Sequence, residues 1–258
     1  WQQSQWKDSV PFSLFCRYIL PYRINDEHFG GNWREPLRKQ YGAVIEGVAD
    51  IRKAFTLVRD TVFNVIALSN SYCKYNLDPL TCNIVGRAEC SQRCILLVAV
   101  MRALGIPAAI DGTPMWADYS NKGHAWAAMI MGNGDTYTVF EKAKEAKRLN
   151  PVDASQFMPR YKTWKNDGFT YDIKASKTPV KIYRMCYDRC NKVGEYDVMW
   201  LKSSFIKDVS AEYGLTSNVA IKADSASAVY LCAYMSGRDW MPVAKAFHEG
   251  GNIIFPNV

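Results

Sequence analysis

Gly86-Arg87-Ala88-Glu89-Cys90-Ser91-Gln92-Arg93-Cys94 leads into an apolar run that ends at Gly105. All seven residues from 95 to 101 are apolar, so the helix predicted over Glu89 to Leu104 should be buried on nearly every side. Gly105 supplies the C-terminal cap of this helix. Cys90 therefore lies where a rigid, buried helix begins.

A second stretch, Gly123-His124-Ala125-Trp126, opens an alternating apolar run that predicts a strand from His124 to Met131. A cysteine at a helix start and a histidine on a nearby strand are typical of an activated thiol nucleophile. A free thiol has a pKa near ~8.5, and a helix N-terminus or a neighbouring imidazolium lowers it. Taken singly, a helical cysteine is more often structural, and Cys94 fits that role.

The pattern after His124 predicts a hairpin with a return strand over Thr136 to Phe140. If Asn133-Gly134 is a two-residue loop, Met131 faces Thr136 and Trp126 faces Glu141. Glu141 then shares a face with His124 and is the candidate acid that orients the imidazole.

Other residues around this pair have weaker signals. The backbone N–H of Cys90, at the helix start, is a candidate oxyanion donor, and Asn83 is a second, weak candidate. Trp116 and Trp126 are expected either in the site wall or in the core. No amino-acid pattern selects between those two positions for the tryptophans.

Composition limits the classes of function. The chain has 258 residues, a net charge of +7, and 48% hydrophobic and 22% charged residues, as expected for a soluble globular protein. The basic residues are scattered, which argues against nucleic-acid binding. No run reaches the ~18 apolar residues of a membrane span. The chain starts at Trp1 without Met, so we expect a processed protein or a fragment.

Eight cysteines and three histidines show no zinc-finger spacing, and we expect neither a metal nor an organic cofactor. The cysteines are too sparse for a disulfide scaffold. A disulfide at Cys73–Cys82 or Cys186–Cys190 remains open if the compartment is oxidising.

The remaining chain predicts an α+β protein of two domains, at 1–177 and 178–258, with a core at about 70–150. Helices are expected over 11–20, 33–41 and 43–69, loops over 70–85, and polar irregular chain over 142–177. Strands are predicted at 180–185, 205–213, 219–223, 228–234, 240–244 and 253–255. Those strands predict a small β-sandwich, and the abrupt end at Val258 suggests that this domain is truncated.

The central motifs resemble the transglutaminase-like superfamily. The resemblance lies in Gly86-x-x-Glu89-Cys90, in Met101-Arg102-Ala103-Leu104-Gly105-Ile106-Pro107-Ala108, and in the His124-Ala125-Trp126 strand. It implies a papain-like fold with Cys90 as nucleophile, His124 as base and Glu141 as orienting acid. The superfamily more often has Asp at the third position.

The resemblance also implies a chemistry: thiolate attack on an amide carbonyl through a thioester. We expect hydrolysis of peptide or peptide–glycan amides, in cell-wall or glycoprotein material. The alternatives are transamidation of protein glutamine and a catalytically silent binding module on the same fold. The segments 15–23, 229–232 and 240–243 resemble secreted or lipid-anchored members from gut Bacteroidetes, which implies a periplasmic or cell-surface location.

Overall fold

The computed structural model describes residues 1–2, 4–69, 75–116, 123–139, 160–166, 169–175, 179–195, 197–222, 228–234, 239–249 and 251–258. The described chain is α+β and divides into two compact units. The described parts of 1–111, 125–151 and 184–189 form the first unit, and those of 112–124, 152–183 and 190–258 form the second. The predicted domain boundary at residue 177 stays a prediction.

The first unit contains the α-helices that the structure describes, together with a short 3-10 helix. They are α1 (Phe12–Tyr18), α2 (Arg34–Tyr41), a short 3-10 helix (Gly42–Ile45), α3 (Ile51–Val65), α4 (Pro79–Val85) and α5 (Cys90–Ala103). Its strands begin with β1 (Ala67–Leu68) and β2 (Arg87–Ala88), which pair in parallel. Further along lie β3 (Ala108–Thr113), β4 (His124–Ile130) and β5 (Thr136–Tyr137).

Helix α5 forms the centre of the first unit, as the sequence predicts. Every residue from Gln92 to Arg102 is buried. The core around it includes residues of α2, α3, β3, β4 and β5, among them Leu37, Phe55, Ile110, Met129 and Tyr137. A helix apolar on all faces is stable in water only inside such a shell, so its start is held rigidly.

The helix predicted over 43–69 is interrupted. The chain forms the 3-10 helix over Gly42–Ile45, turns at Gly47 with φ 71°, and starts α3 at Ile51. Asp50 caps α3 by accepting a hydrogen bond from the Arg52 N–H at 2.9 Å. The apolar spacing continues through the break, so periodicity alone did not reveal it. Part of the predicted loop 70–85 is also helical, because α4 starts there at Pro79.

Arg102 ties the N-terminal segment to the end of α5. Arg102 is 4% exposed and donates to the carbonyl oxygens of Ala108, Pro21 and Arg23 at 3.0, 3.1 and 3.0 Å. Burial, with repulsion from Arg34 as a smaller cause, lowers the pKa of Arg102 to about 9. The side chain thus still carries its charge at neutral pH, spread over three carbonyl dipoles.

A buried ion pair joins the strands of the first unit. Arg184, in β8 (Tyr183–Met185), donates from Nε and Nη2 to the two oxygens of Asp111 in β3, at 2.8 Å each. Nη2 also donates to Thr136 Oγ1 in β5 at 2.7 Å. Within the first unit these strands follow the order β5-β4-β3-β8. The fork of one guanidinium therefore links the central strand to two others.

The predicted register of the β4–β5 hairpin was wrong by one residue. Ile130, not Met131, pairs with Thr136. The Met131 N–H donates to the Asp135 carbonyl at 2.7 Å, and the Gly134 N–H donates back to Met131 at 2.9 Å. The turn is therefore longer than the two-residue loop on which the prediction depended. Since a one-residue shift exchanges the faces of a strand, the face argument for Glu141 no longer holds.

The second unit is mainly strand. It contains β6 (Arg160–Asn166) and β7 (Phe169–Ala175), which form a hairpin within a region predicted to be irregular. The later strands are β9 (Ile206–Asp208), β10 (Val219–Lys222), β11 (Tyr230–Tyr234), β12 (Trp240–Lys245), β13 (Phe247–Glu249) and β14 (Asn252–Phe255). Of these, β10, β14 and β13 form a three-stranded sheet in the order β10-β14-β13, and β11 and β12 form a hairpin. The strands predicted at 219–223, 228–234, 240–244 and 253–255 are confirmed. The strand predicted at 205–213 is wrong beyond Asp208, since a 3-10 helix forms over Ser210–Tyr213. Strand β13 was not predicted, and the sandwich stays a prediction.

Buried lysine and aspartate side chains hold this unit together. Lys181 is 1% exposed and donates to Asp208 and to the carbonyls of Pro256 and Asn257. Asp197 is 5% exposed and accepts from Lys245 Nζ at 2.7 Å.

Among the described residues, no helix has the length and apolar character needed to cross a bilayer.

Candidate functional site

The start of α5 is built by the segment that precedes it. Helix α4 ends at Gly86 in the left-handed conformation, with φ 68°. Strand β2 then leads directly into the N-cap residue Glu89, whose backbone is extended. Cys90 is the first residue of α5. The helix start predicted at Glu89 is confirmed to within one position.

The two cysteines of α5 differ in access. Cys90 is half-buried, whereas Cys94 is 3% exposed and belongs to the core. Cys82 also lies beneath the helix, with its Sγ 3.6 Å from the Gln92 carbonyl oxygen. Of these three thiols, Cys90 alone has the partial exposure that attack on an external carbonyl requires.

The two polar side chains next to Cys90 in the sequence, Glu89 and Ser91, form a hydrogen bond with each other. Ser91 Oγ donates to Glu89 Oε1 at 2.8 Å, so the N-cap carboxylate is tied to the first turn. The first i→i−4 bond of the helix runs from the Arg93 N–H to the Glu89 carbonyl at 2.9 Å. The N–H groups of residues 90 to 92 precede that bond and point out of the helix end. They are positioned to donate to an anion that forms near the Cys90 thiol.

Asn83, the weaker oxyanion candidate, is part of a hydrogen-bonded group with α2. Its Oδ1 accepts from Tyr41 Oη at 2.7 Å, and its Nδ2 donates to Gln40 Oε1 at 2.9 Å. One N–H of the amide is thus used by Gln40. The oxyanion role of Asn83 stays a prediction.

His124 is the first residue of β4 and belongs to the second unit. The glycine before it lies against the backbone of residues 113 and 114: a Cβ at Gly123 would lie 2.6 Å from the Pro114 carbonyl oxygen and closer still to that of Thr113. A side chain at 123 would therefore force this segment apart. The sequence motif contains this glycine, but only the close approach of the Thr113 and Pro114 carbonyls explains why the position requires a residue without a side chain.

Trp116 supports the His124 ring. Their ring centroids are 6.0 Å apart with an interplanar angle of 30°. Trp116 is 4% exposed, and its backbone forms a bridge with Pro179. Trp126 is 6% exposed. Both tryptophans are therefore buried, and Trp116 also forms one wall around the imidazole.

Several predicted features fall outside the described residues. Glu141 is one of them, and the Cys73 half of a Cys73–Cys82 disulfide is another. Cys190 is a thiol, so the Cys186–Cys190 disulfide is not present. No cluster of three or more metal-ligating side chains occurs among the described residues.

Comparisons with known proteins leave the family open. No protein-family model and no curated protein matches the sequence. A solved structure of a candidate cysteine protease from Cytophaga hutchinsonii is similar over 40% of this chain, with 17% identity and a TM-score of 0.35. A candidate protease from Parabacteroides distasonis is similar over 58%, with 11% identity and a TM-score of 0.33. The matches span 36% and 29% of those two chains.

Proposed function

We propose that the chain catalyses thiol-dependent acyl transfer at amide bonds with water as the acceptor, and so hydrolyses amides of peptide or peptide–glycan material. The observation that supports this most is the position of Cys90, half-buried at the first residue of a helix whose other residues are almost all in the core. A rigid helix start with outward N–H groups suits a thiolate and the oxyanion formed by its attack.

The proposed reaction uses residues that the sequence motifs select. His124 accepts the Cys90 proton, and the thiolate attacks the amide carbonyl carbon to give a tetrahedral oxyanion. When the C–N bond breaks, the imidazolium donates its proton to the leaving amine, and a thioester remains. Water then attacks the thioester with His124 as base, and breaking of the C–S bond releases the carboxylate product and the thiol.

The proposal also includes the third residue of the catalytic triad and the cellular location of the protein. Glu141 is proposed, from the sequence resemblance alone, to accept a hydrogen bond from the imidazole, which would hold the productive tautomer. A periplasmic or cell-surface location is proposed from the sequence resemblance. Fractionation of cells of the source organism tests that location, and a purely cytoplasmic signal would rule it out.

The test of the reaction uses a library of fluorogenic peptide amides. Turnover should be lost in Cys90→Ala and kept in Cys190→Ala, which removes an exposed thiol outside the site. Undiminished turnover in Cys90→Ala would overturn the proposal. Incorporation of an added primary amine in place of water would assign transamidation, and inertness of the unmodified chain toward every substrate would favour the binding module.

A further inference from the structure

The two-residue strand β1 forms one edge of the small sheet that leads to Cys90. This sheet has two strands, and Leu68 of β1 is the register partner of Ala88 in β2. Cys90 follows Ala88 by two residues. Both strands and the start of α5 belong to the first unit. A molecule bound along β1 would therefore lie near the proposed nucleophile.

The outer edge of β1 has an unused donor and an unused acceptor. On the inner side, the Ala67 N–H donates to the Gly86 carbonyl at 2.9 Å. The Ser69 N–H donates to the Ala88 carbonyl, also at 2.9 Å. Because the main-chain groups of successive strand residues alternate in direction, the N–H and C=O of Leu68 point away from β2. No other residue in the described part of the chain bonds to either group, so this edge is a template for a further strand.

The buried face of this sheet is left open at the same edge. Paired residues on neighbouring strands point to one face, so Leu68 and Ala88 share a face. Ala88 is 4% exposed there, whereas Leu68 is 53% exposed. Val65 and Val85, at the ends of α3 and α4, are exposed as well. A strand added beside β1 would place a side chain next to Leu68 and remove apolar surface from water.

The ligand that matches this edge is an extended peptide. An extended main chain presents a C=O and an N–H at the spacing of a strand residue, and peptides bind to sheet edges by such pairing. The apolar Leu68 side chain favours an apolar residue beside it. We infer that β1 binds the main chain of the peptide substrate as an added strand, an inference that rests on the proposed function.

Strand spacing sets the distance from this edge to the reacting amide. Neighbouring strands lie ~4.8 Å apart, so a strand added at β1 lies roughly 10 Å from β2. An extended chain covers that distance in about three residues. The residue beside Leu68 should therefore lie about three residues from the amide that Cys90 attacks.

Calorimetric titration of the Cys90→Ala chain tests the inference without turnover. The probe is acetyl-seryl-threonyl-valyl-threonyl-seryl-glycine amide, whose single valine should lie beside Leu68 and so fix the register. Methylation of one main-chain nitrogen removes the N–H that donates to the Leu68 carbonyl, and affinity should fall about tenfold. The sensitive position is the valine nitrogen in an antiparallel strand and that of the following threonine in a parallel one. Methylation of the first serine nitrogen is the control and should change little.

Two variants of Leu68 locate the binding. Leu68→Pro removes the outward N–H, while the bonds from Ala67 and Ser69 to β2 remain. It should weaken the probe about tenfold. Leu68→Val is the matched control, since it keeps the N–H and an apolar side chain, and it should keep the affinity. The methylated peptides need no change in β1, so they decide the question if Leu68→Pro does not fold, as judged by circular dichroism.

Absence of probe binding would overturn the inference, as would equal affinity of all the methylated peptides. A folded Leu68→Pro chain that binds the probe as tightly as Leu68→Val would also overturn it. Sedimentation that shows a dimer for Leu68→Val and a monomer for Leu68→Pro would assign the edge to a second copy of the chain instead. Because the titration needs no thiol, an unmodified chain without amidase activity would count against the proposed function and leave the binding result readable.

Discussion

Cys90 and Cys94 lie one turn apart on α5, yet one thiol is half-buried at the helix start and the other is enclosed in the core. The difference follows from their neighbours. Cys90 follows the N-cap, where the chain enters the helix from the surface strand β2, whereas Cys94 is surrounded by the core of the first unit. The two residues should therefore respond differently to the same substitution.

Replacing each cysteine by alanine separates activity from stability. Cys94→Ala leaves a small cavity in the core and should lower the free energy of unfolding by about 1 kcal/mol. Cys90→Ala should change it by less than about 0.5 kcal/mol while it abolishes amide turnover. Urea unfolding and the peptide-amide assay measure the two effects. Equal losses of stability in both variants would contradict the assignment.

Gly123→Ala should disturb His124 through the backbone. The added Cβ would contact the carbonyl oxygens of Thr113 and Pro114, neither of which can rotate away. We expect a loss of about 1–3 kcal/mol in stability from this overpacking and a fall in kcat of about tenfold or more from the displaced imidazole. Gly42→Ala is the control, since its φ is −58° and nothing lies within 4 Å of the new Cβ. A Gly123→Ala chain with normal stability and kcat would contradict the expected clash.

The buried Asp111–Arg184 pair should be costly to break from one side. Arg184→Met leaves the Asp111 carboxylate buried without its guanidinium, and we expect a loss of about 3–5 kcal/mol. Asp111→Asn should cost a similar amount. The double variant should cost clearly less than the sum of the single changes, since neither charge is then left alone. Additive losses in urea unfolding would show that the two side chains are not coupled.

Asp197 should make the stability of the second unit sensitive to acid. Burial alone would raise the pKa of this carboxyl, but hydrogen bonds from Lys245, the Gly194 N–H and Tyr230 lower it below 3.8, the ordinary value. Its contribution is therefore present above the unfolded pKa and is lost as the pH falls through the lower folded pKa. The difference in unfolding free energy between the unmodified chain and Asp197→Asn should shrink from pH 5 to pH 2. A difference that stays constant across that range would contradict the shifted pKa.

The sequence predicted the parts of this fold that depend on local pattern. The apolar run from 95 to 101 predicted α5, and Gly105 predicted its end. The position of Cys90 at the helix start follows from the same run. Strand β4 was predicted from its alternating apolar residues, and the turn that follows it at Gly134 was predicted as well.

The parts that were missed depend on contacts between distant residues. Arg102 was recognised only as a motif residue, but it binds carbonyls about 80 positions earlier in the chain. The hairpin register depends on the Met131–Asp135 hydrogen bond, which adds residues to the turn that Asn133-Gly134 predicted.

The rate of Cys90 alkylation by iodoacetamide at pH 6, followed by peptide mapping, tests the central claim most directly. Cys190 is a built-in reference, since it is an exposed cysteine thiol in the same chain. If Cys90 is the nucleophile, it should react at least tenfold faster than Cys190 despite its lower exposure, because only a thiolate reacts at that pH. His124→Ala should remove most of that advantage. A Cys90 that reacts no faster than Cys190 would contradict the proposed function.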